Sequence, residues 1–205
     1  MIFCTWQPSR GRLHALSRFN KFLLANASGR IVLLLLAITI ISFVLMAALI
    51  TPAFQAVTDG LRPFDLNFGV SAEMVYRDLP LYTDRSREIY IWFAIVDYVY
   101  PAAAAAFFAM LWAWMFKKTD NRLFEQLTAA GILTVPFLFA LVDWLENAGF
   151  LFVIFSYPNE YPGIATMAGA LKKTKPFIEM IVVVLTVIFA VMTIWMTRKK
   201  NRGQS

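Results

Sequence analysis

Residues 31–50 read IVLLLLAITIISFVLMAALI, a stretch of uncharged and almost entirely apolar side chains. A helix rises about 1.5 Å per residue, so a helix over this stretch is about 30 Å long, which matches the hydrocarbon core of a bilayer. Three further apolar runs occupy residues 89–116, 127–155 and 177–197. The sequence therefore predicts an all-α membrane protein, a single domain over residues 1–205 that forms a four-transmembrane-helix bundle.

The composition supports this class. Apolar residues make up 60% of the 205 residues and charged residues 16%, whereas soluble domains have about 45 to 50% and about 25%. The formal net charge is +6 at pH 7, and a basic soluble chain would direct attention to nucleic acid. Here the basic residues flank the apolar runs, so the predicted partner is the lipid bilayer and nucleic acid is excluded.

The distribution of Lys and Arg predicts the orientation of the helices. Twelve of the nineteen lie in residues 1–30, in the short hairpin 117–126 and in the tail 198–205. The positive-inside rule places these three segments, and therefore both termini, in the cytoplasm of an integral membrane protein. Leu13, Leu16, Phe19 and Leu23 recur at helical spacing among the arginines, which is typical of a helix lying on an anionic leaflet. A disordered basic tail and a targeting segment over residues 1–30 are the alternatives.

Two outer loops then connect the spans, at residues 51–88 and 156–175. The first is too long for a simple connection, and we expect part of it to be helical. Ser71 followed by Glu73 is typical of a helix start, and Pro80 ends that helix. Asp84 is predicted to cap the helix that continues into the second span.

The chain contains one cysteine, Cys4, and one histidine, His14. Disulfide exchange, ligation of haem by paired histidines, a zinc protease of the HExxH type and a serine nucleophile activated by an intramembrane histidine all need residues that are missing. The sequence therefore predicts no cofactor and no metal site.

Carboxylates inside the spans are the most informative residues. Asp97 lies in the second run, and Asp143 and Glu146 lie in the third. Each costs about 2.5 to 3.5 kcal/mol at a helix centre, so it needs a partner, water or a proton. Helix rise puts Asp97 about 12 Å, Glu146 about 14 Å and Asp143 about 18 Å from the outer ends, so antiparallel neighbours bring them to similar depth.

Local spacing predicts that these acids share a site. Asp143, Glu146 and Asn147 stand at i, i+3 and i+4 and therefore on one helix face. Pro101 leaves the carbonyl oxygen of Asp97 without its helical donor, and both Pro101 and Pro136 are expected to kink their spans. Such a cluster suits a cation, an amine, a hydroxyl group or a proton shared between two carboxylates.

The predicted charge partners of the acids come from the outer loop. Neither acidic span contains an internal Lys or Arg. Arg85 and Arg87 lie at most about 18 Å above Asp97 by helix rise. They are predicted either to reach the acids or to extend to lipid headgroups.

Two segments carry a resemblance to known proteins. These are FDLNFGVSAE at residues 64–73, continuing through REIY at 87–90 to Asp97 and Pro101, and DWLEN at residues 143–147. They resemble a family of uncharacterised four-span membrane proteins, over a little under half of the chain. A glycine of the family pattern before Arg85 or Arg87 is replaced here by polar residues. The resemblance implies the four-span architecture and the interest of the intramembrane acids, and it implies no reaction.

We interpret the chain as a multi-pass protein in which a polar pocket between the second and third spans binds a lipid-like or cationic small molecule. In this hypothesis Asp97 and Glu146 pair with the ligand's charge, while Asp143 and Asn147 orient them. One alternative is a structural or assembly subunit, whose acids join helices and whose partners are other membrane helices or further copies of the chain. A proton or cation carrier and an enzyme using carboxyl acid/base chemistry are the others.

Overall fold

The computed structural model describes residues 10–67, 69–119 and 121–202. It is all-helical, with 86% helix and no strand in the part of the chain that it describes. Four helices are long and apolar enough to cross a membrane. The α-helices are α1 Arg10–Asn26, α2 Gly29–Val44, α3 Thr51–Ala56, α4 Ala72–Asp78, α5 Asp84–Lys117, α6 Arg122–Ala129, α7 Pro136–Ser156 and α8 Pro162–Arg202.

The first apolar helix is α2, extended by a π-helical turn, Leu45–Ile50, into α3. Ser28 begins it, because its hydroxyl accepts a hydrogen bond from the Ile31 amide at 3.4 Å. At the far end the Thr51 amide bonds the carbonyl of Met46, five residues earlier. The next residue, Pro52, has no amide hydrogen and cannot continue the hydrogen bonding of the helix. The wider π-helical turn lies where this bond is missing.

The segment between α3 and α5 folds over one end of the molecule, which we call the loop end (residues 57–83). The prediction for α4 is confirmed, since the Ser71 hydroxyl accepts from the Met74 amide at 3.2 Å. α4 ends at Asp78, and a 3₁₀ turn, Leu79–Leu81, that contains Pro80 follows it. The prediction for α5 is wrong by one residue, because Thr83 rather than Asp84 caps it through the Ser86 amide.

Aromatic side chains fasten this segment to the helices. Phe54, Phe64, Tyr82, Tyr90 and Phe150 are all buried in one cluster. The rings of Phe64 and Tyr82 stack with their centroids 5.5 Å apart, and Phe54 meets Tyr82 and Tyr90 edge-on. The loop end is therefore a packed cap over the ends of α5 and α7.

The third apolar run is divided in the structure. It was predicted to begin at residue 127, but α6 ends at Ala129, Gly131 adopts a left-handed φ of 92°, and α7 begins at Pro136. Proline suits the first turn of a helix, where no amide partner is needed. The predicted kink at Pro136 is therefore a helix start, whereas Pro101 lies inside α5.

The fourth helix is longer than the apolar run from which it was predicted. Residues 162–175, assigned from the sequence to an outer loop, form the first turns of α8. They pack closely on their neighbours. A Cβ added to Gly149 of α7 would lie 3.0 Å from the Ala168 side chain, and one added to Gly169 would lie 2.9 Å from the Val70 carbonyl oxygen. The first turns of α8 therefore pack against the loop end and against α7.

The opposite end, which we call the hairpin end, contains α1, α6 and the adjoining ends of α5 and α8. The Phe116 and Phe124 rings stack 4.2 Å apart, and Phe189 meets both edge-on. The Lys117 ammonium donates to the Ala27 carbonyl at 3.0 Å. Residues 10–26 thus form a helix, α1, whose end is held beside α5.

Candidate functional site

The site is built on the antiparallel register of α7 and α8. Asp143 pairs with Lys175, and Glu146 pairs with Lys172. The two acids are three residues apart on α7, and their partners are three residues apart in the opposite direction on α8. Since residues three apart share a helix face, the two acids and the two lysines meet in one row of contacts.

These ion pairs are buried. Lys175 Nζ lies 2.5 Å from Asp143 Oδ1 and 3.2 Å from Glu146 Oε2, and Lys172 Nζ lies 3.3 Å from Glu146 Oε1. The side chains of Asp143 and Glu146 are 1% and 0% exposed. Buried charges persist only when they are paired or hydrogen-bonded, so the lysines are what allow both acids to stay at this depth.

Asp97 joins this group from α5. Asp97 is buried, and its carboxyl interacts with the Asn147 amide and with the charges of Asp143 and Lys175. Asn147 also donates to Asp143 Oδ2 at 3.2 Å. A hydrogen bond joins α5 and α7 at this level, because the indole Nε1 of Trp144 donates to the Tyr98 carbonyl at 2.9 Å. The structure therefore brings together Asp97, Asp143, Glu146 and Asn147.

A fourth carboxyl group closes the cluster from the loop end. Asp65, in the 3₁₀ turn Phe64–Leu66, is buried and accepts a short hydrogen bond from the Tyr90 hydroxyl. The Lys172 ammonium donates to the backbone carbonyl of the same residue. Burial raises the pKa of Asp65, against the opposing effect of Tyr90 and the two lysines. Burial, and then the charge of Asp65, likewise raises the pKa of Tyr82.

The arginines predicted to serve the acids lie elsewhere. Arg85 is exposed and pairs with Glu88 at 2.6 Å. The Arg87 guanidinium lies over the Tyr157 ring, 5.9 Å from its centroid. Both stand in the first turn of α5, where the helix leaves the loop end, and Lys172 and Lys175 of α8 contact the acids instead.

Carboxyl groups outnumber ammonium groups in this region. Asp65, Asp97, Asp143, Glu146 and, one turn further along α8, Glu179 supply five carboxyl groups, against two ammonium groups from the lysines. Three buried acceptor atoms of this cluster have no hydrogen-bond donor among the described residues: Asp65 Oδ1, Glu146 Oε2 and Asn147 Oδ1. Glu146 Oε2 is within ion-pair distance of Lys175 but not in hydrogen-bond geometry. The cluster could therefore accept further hydrogen bonds at these oxygen atoms.

A cavity of about 200 Å³ lies one helical turn further along the bundle from this cluster. Tyr100 follows Asp97 by three residues, Phe139 precedes Asp143 by four, and Glu179 follows Lys175 by four, so each helix contributes its next turn to the cavity wall. The remaining lining is apolar: Ala104, Phe108, Pro136, Val182 and Val183. Glu179 and the Tyr100 hydroxyl are the polar groups of this cavity.

No metal site accompanies the acids. Within the described residues, no group of three His, Cys, Asp or Glu side chains is arranged to hold a metal ion. Cys4 lies outside the described residues, as does the side chain of His14. The chemistry that the arrangement offers is therefore that of carboxylates, a phenol and ammonium groups, which bind cations, donate hydrogen bonds or exchange protons.

Sequence reasoning missed Lys172, Lys175 and Glu179. In the sequence the lysines stand in the polar segment before the fourth apolar run, and Glu179 stands near the start of that run, which is typical of a polar flank and an exposed helix start. One signal was present, since residues 172, 175 and 179 stand at i, i+3 and i+7 and so share a helix face. Asp65 and Tyr90 carried no comparable signal, because their contact joins an irregular turn to a helix.

The class of protein defined by these observations is an all-helical chain with four helices long and apolar enough to cross a membrane. Buried ion pairs between α7 and α8 lie beside a largely apolar cavity that contains one acid, Glu179. Comparison of the chain with models of known protein families, with curated proteins and with solved structures finds no match. Its function is therefore argued from the site alone.

Proposed function

We propose that the chain is a multi-pass integral membrane protein, with both termini in the cytoplasm, that binds a small cationic molecule with an apolar body. The observation that carries the proposal is the division of polarity in the 200 Å³ cavity. Glu179 and Tyr100 form a polar end, and aromatic and aliphatic side chains form the rest. An ammonium group at the polar end places an attached apolar group against the apolar walls.

Electrostatics favour a cation over a neutral or anionic ligand. Lys172 and Lys175 make ion pairs with Asp143 and Glu146, and Glu179 takes part in none of those three contacts. The two lysines leave three of the five carboxyl groups without a matching positive charge. A bound ammonium supplies one such charge and gains hydrogen bonds to Glu179, each charge-assisted bond being worth about 1.5 to 3 kcal/mol.

The size of the cavity limits the apolar part of the ligand. An engineered apolar cavity of about 150 Å³ accepts a benzene-sized molecule, so about 200 Å³ accommodates one ring with a short amine chain. The Tyr100 ring is also placed to interact with a cation, which is worth about 0.5 to 2 kcal/mol depending on desolvation. The favoured ligand class is therefore an arylalkylamine or an amine of similar size.

Binding of phenethylamine, 2-phenylethanol and 3-phenylpropionate to the protein in lipid nanodiscs tests this proposal. These probes share a ring and a short chain and differ in charge. We expect the amine to bind at least about tenfold more tightly than the alcohol, since one charge-assisted hydrogen bond exceeds 1.4 kcal/mol. Glu179→Gln should abolish this preference, whereas Glu160→Gln, at an exposed acid before α8, should leave it unchanged.

Equal affinities of wild-type protein for amine and alcohol would rule out a cation site. The buried ion pairs then favour the second candidate, a structural role in which Lys172 and Lys175 hold α8 to α7. In that case Glu179→Gln should also leave stability unchanged, because Glu179 takes no part in those pairs. The two candidates are thus separated by ligand preference rather than by loss of folding.

A further inference from the structure

A second and larger cavity, of about 350 Å³, lies at the hairpin end between α1, the end of α5 and α6. Its lining includes the stacked rings of Phe116 and Phe124 and the side chain of Leu24. Its charged residues are Lys21, Lys117 and Glu125. A cavity with an apolar floor and charges of both signs at the end of an apolar helix has the polarity of a lipid headgroup site.

Asn20 is the most informative residue of this cavity. It is 1% exposed, and its amide nitrogen donates to the Thr128 carbonyl at 3.2 Å. That bond fixes the orientation of the amide and leaves Oδ1 as a buried acceptor without a donor among the described residues. Buried carbonyl groups in this state are rare because they lose free energy relative to water. The missing partner must be an N–H or O–H donor.

Four other polar residues of the cavity already make hydrogen bonds within the protein. The hydroxyls of Thr119 and Thr128 donate to backbone carbonyls within their own helical turns. Asn121 accepts from the Leu123 amide at 2.7 Å and so caps α6. Lys117 binds the end of α1. Asn20 Oδ1 and the exposed charges of Lys21 and Glu125 are therefore what remains for a ligand.

We propose that this cavity binds a phosphoethanolamine lipid headgroup. The ammonium donates to Asn20 Oδ1 and to Glu125, and the phosphate pairs with Lys21, while the glycerol and upper acyl carbons lie on Phe116 and Phe124. A zwitterionic headgroup matches a site that offers an acceptor, an anion and a cation together. A purely anionic headgroup would meet Glu125 unfavourably, and a choline headgroup has no N–H to give Asn20.

Lipid titrations of the detergent-solubilised full chain, followed by native mass spectrometry, test the donor directly. The probes are phosphatidylethanolamine, its N-methyl and N,N-dimethyl derivatives, phosphatidylcholine, phosphatidylglycerol and free phosphoethanolamine. We expect affinity to fall with each methylation and phosphatidylethanolamine to bind about tenfold or more tightly than phosphatidylcholine. This series uses wild-type protein alone, so it does not depend on a variant that folds.

Variants then locate the site. Asn20→Leu and Glu125→Gln should each weaken phosphatidylethanolamine binding about tenfold and leave phosphatidylcholine binding unchanged. Asn26→Leu is the matched control, since Asn26 lies exposed on the same helix and bonds only the Phe22 carbonyl among described groups. Equal binding of ethanolamine and choline lipids, or tighter binding of phosphatidylglycerol, would overturn the proposal. Free phosphoethanolamine binding as tightly as the lipid would overturn its assignment to a membrane lipid.

Discussion

Replacing Lys175 with methionine removes the charge that joins α8 to two buried acids. Lys175 Nζ lies 2.5 Å from Asp143 Oδ1 and 3.2 Å from Glu146 Oε2. At an effective dielectric constant of about 20, these contacts are worth about 5 to 7 kcal/mol each before desolvation is subtracted. The free-energy cost of desolvating the charges cancels much of that attraction. In the variant the two buried carboxyl groups still have this cost, but the attraction to Lys175 is lost. We expect Lys175→Met to lower the free energy of unfolding by about 3 to 5 kcal/mol.

Reversible unfolding by sodium dodecyl sulfate in mixed micelles, followed by circular dichroism, measures this loss. Lys173→Met is the matched control, because Lys173 is exposed on the same helix and its replacement should change stability by less than about 0.5 kcal/mol. In an Asp143→Asn background the cost of Lys175→Met should fall by about 0.5 to 3 kcal/mol, which is the coupling expected between residues in contact. A Lys175→Met variant as stable as Lys173→Met would refute the assignment of these pairs to helix packing.

Three further predictions follow from other contacts. Because burial raises the folded pKa of Asp65 above its ordinary 3.8, its contribution to stability is complete below that value and lost as pH rises through the raised pKa. Asp65→Asn should therefore flatten the measured dependence of unfolding midpoint on pH, and an unchanged slope would contradict the burial argument. Gly169→Ala should cost about 1 to 3 kcal/mol by overpacking against a backbone oxygen 2.9 Å away, whereas Gly163→Ala, with open space around it, should not lower the thermal midpoint. Trp112 Nε1 donates to Thr186 Oγ1 at 2.8 Å, so Trp112→Phe and Thr186→Val should show a coupling energy of about 0.6 to 1.7 kcal/mol in a double-mutant cycle; additive losses would exclude this bond.

Much of the fold could be predicted because apolar runs of membrane-spanning length are a strong signal. The existence of four long helices and the helix start at Ser71 both follow from local sequence. Helix boundaries were less accessible. Gly131 and Pro136 divide an apolar run that is continuous in hydropathy, and the turn chemistry there outweighs the composition.

The acidic half of the site could be predicted, and the basic half could not. Asp143, Glu146 and Asn147 are neighbours by helical spacing alone. Lys172 and Lys175 belong to a polar segment beside an apolar run, and such lysines usually flank a span and face water. They face the acids because α8 continues as one helix through residues 172 and 175 and because of its register with α7. The register depends on packing between helices, which local sequence does not determine.

Asp65 shows the limit of sequence reasoning more clearly. It lies in a short irregular segment, where no helical or strand period fixes the direction of a side chain. Its contacts with Tyr90 and Lys172 span 25 and 107 residues of sequence. Only packing of the loop end, through Phe64 and its aromatic neighbours, determines that this carboxyl group points inward.

The most direct test of the proposed function is photoaffinity labelling with a diazirine derivative of phenethylamine in nanodiscs, with the labelled residues located by mass spectrometry. We expect labels on the cavity walls, at Tyr100, Phe139 or Val183. Excess phenethylamine should prevent this labelling, and excess 2-phenylethanol should prevent it only at a concentration about tenfold higher or above. In the Glu179→Gln variant the labels should be absent even when no competitor is added. Labels spread over the exposed side chains of α2, removed equally by both competitors and unaffected by Glu179→Gln, would contradict a cation site in this cavity.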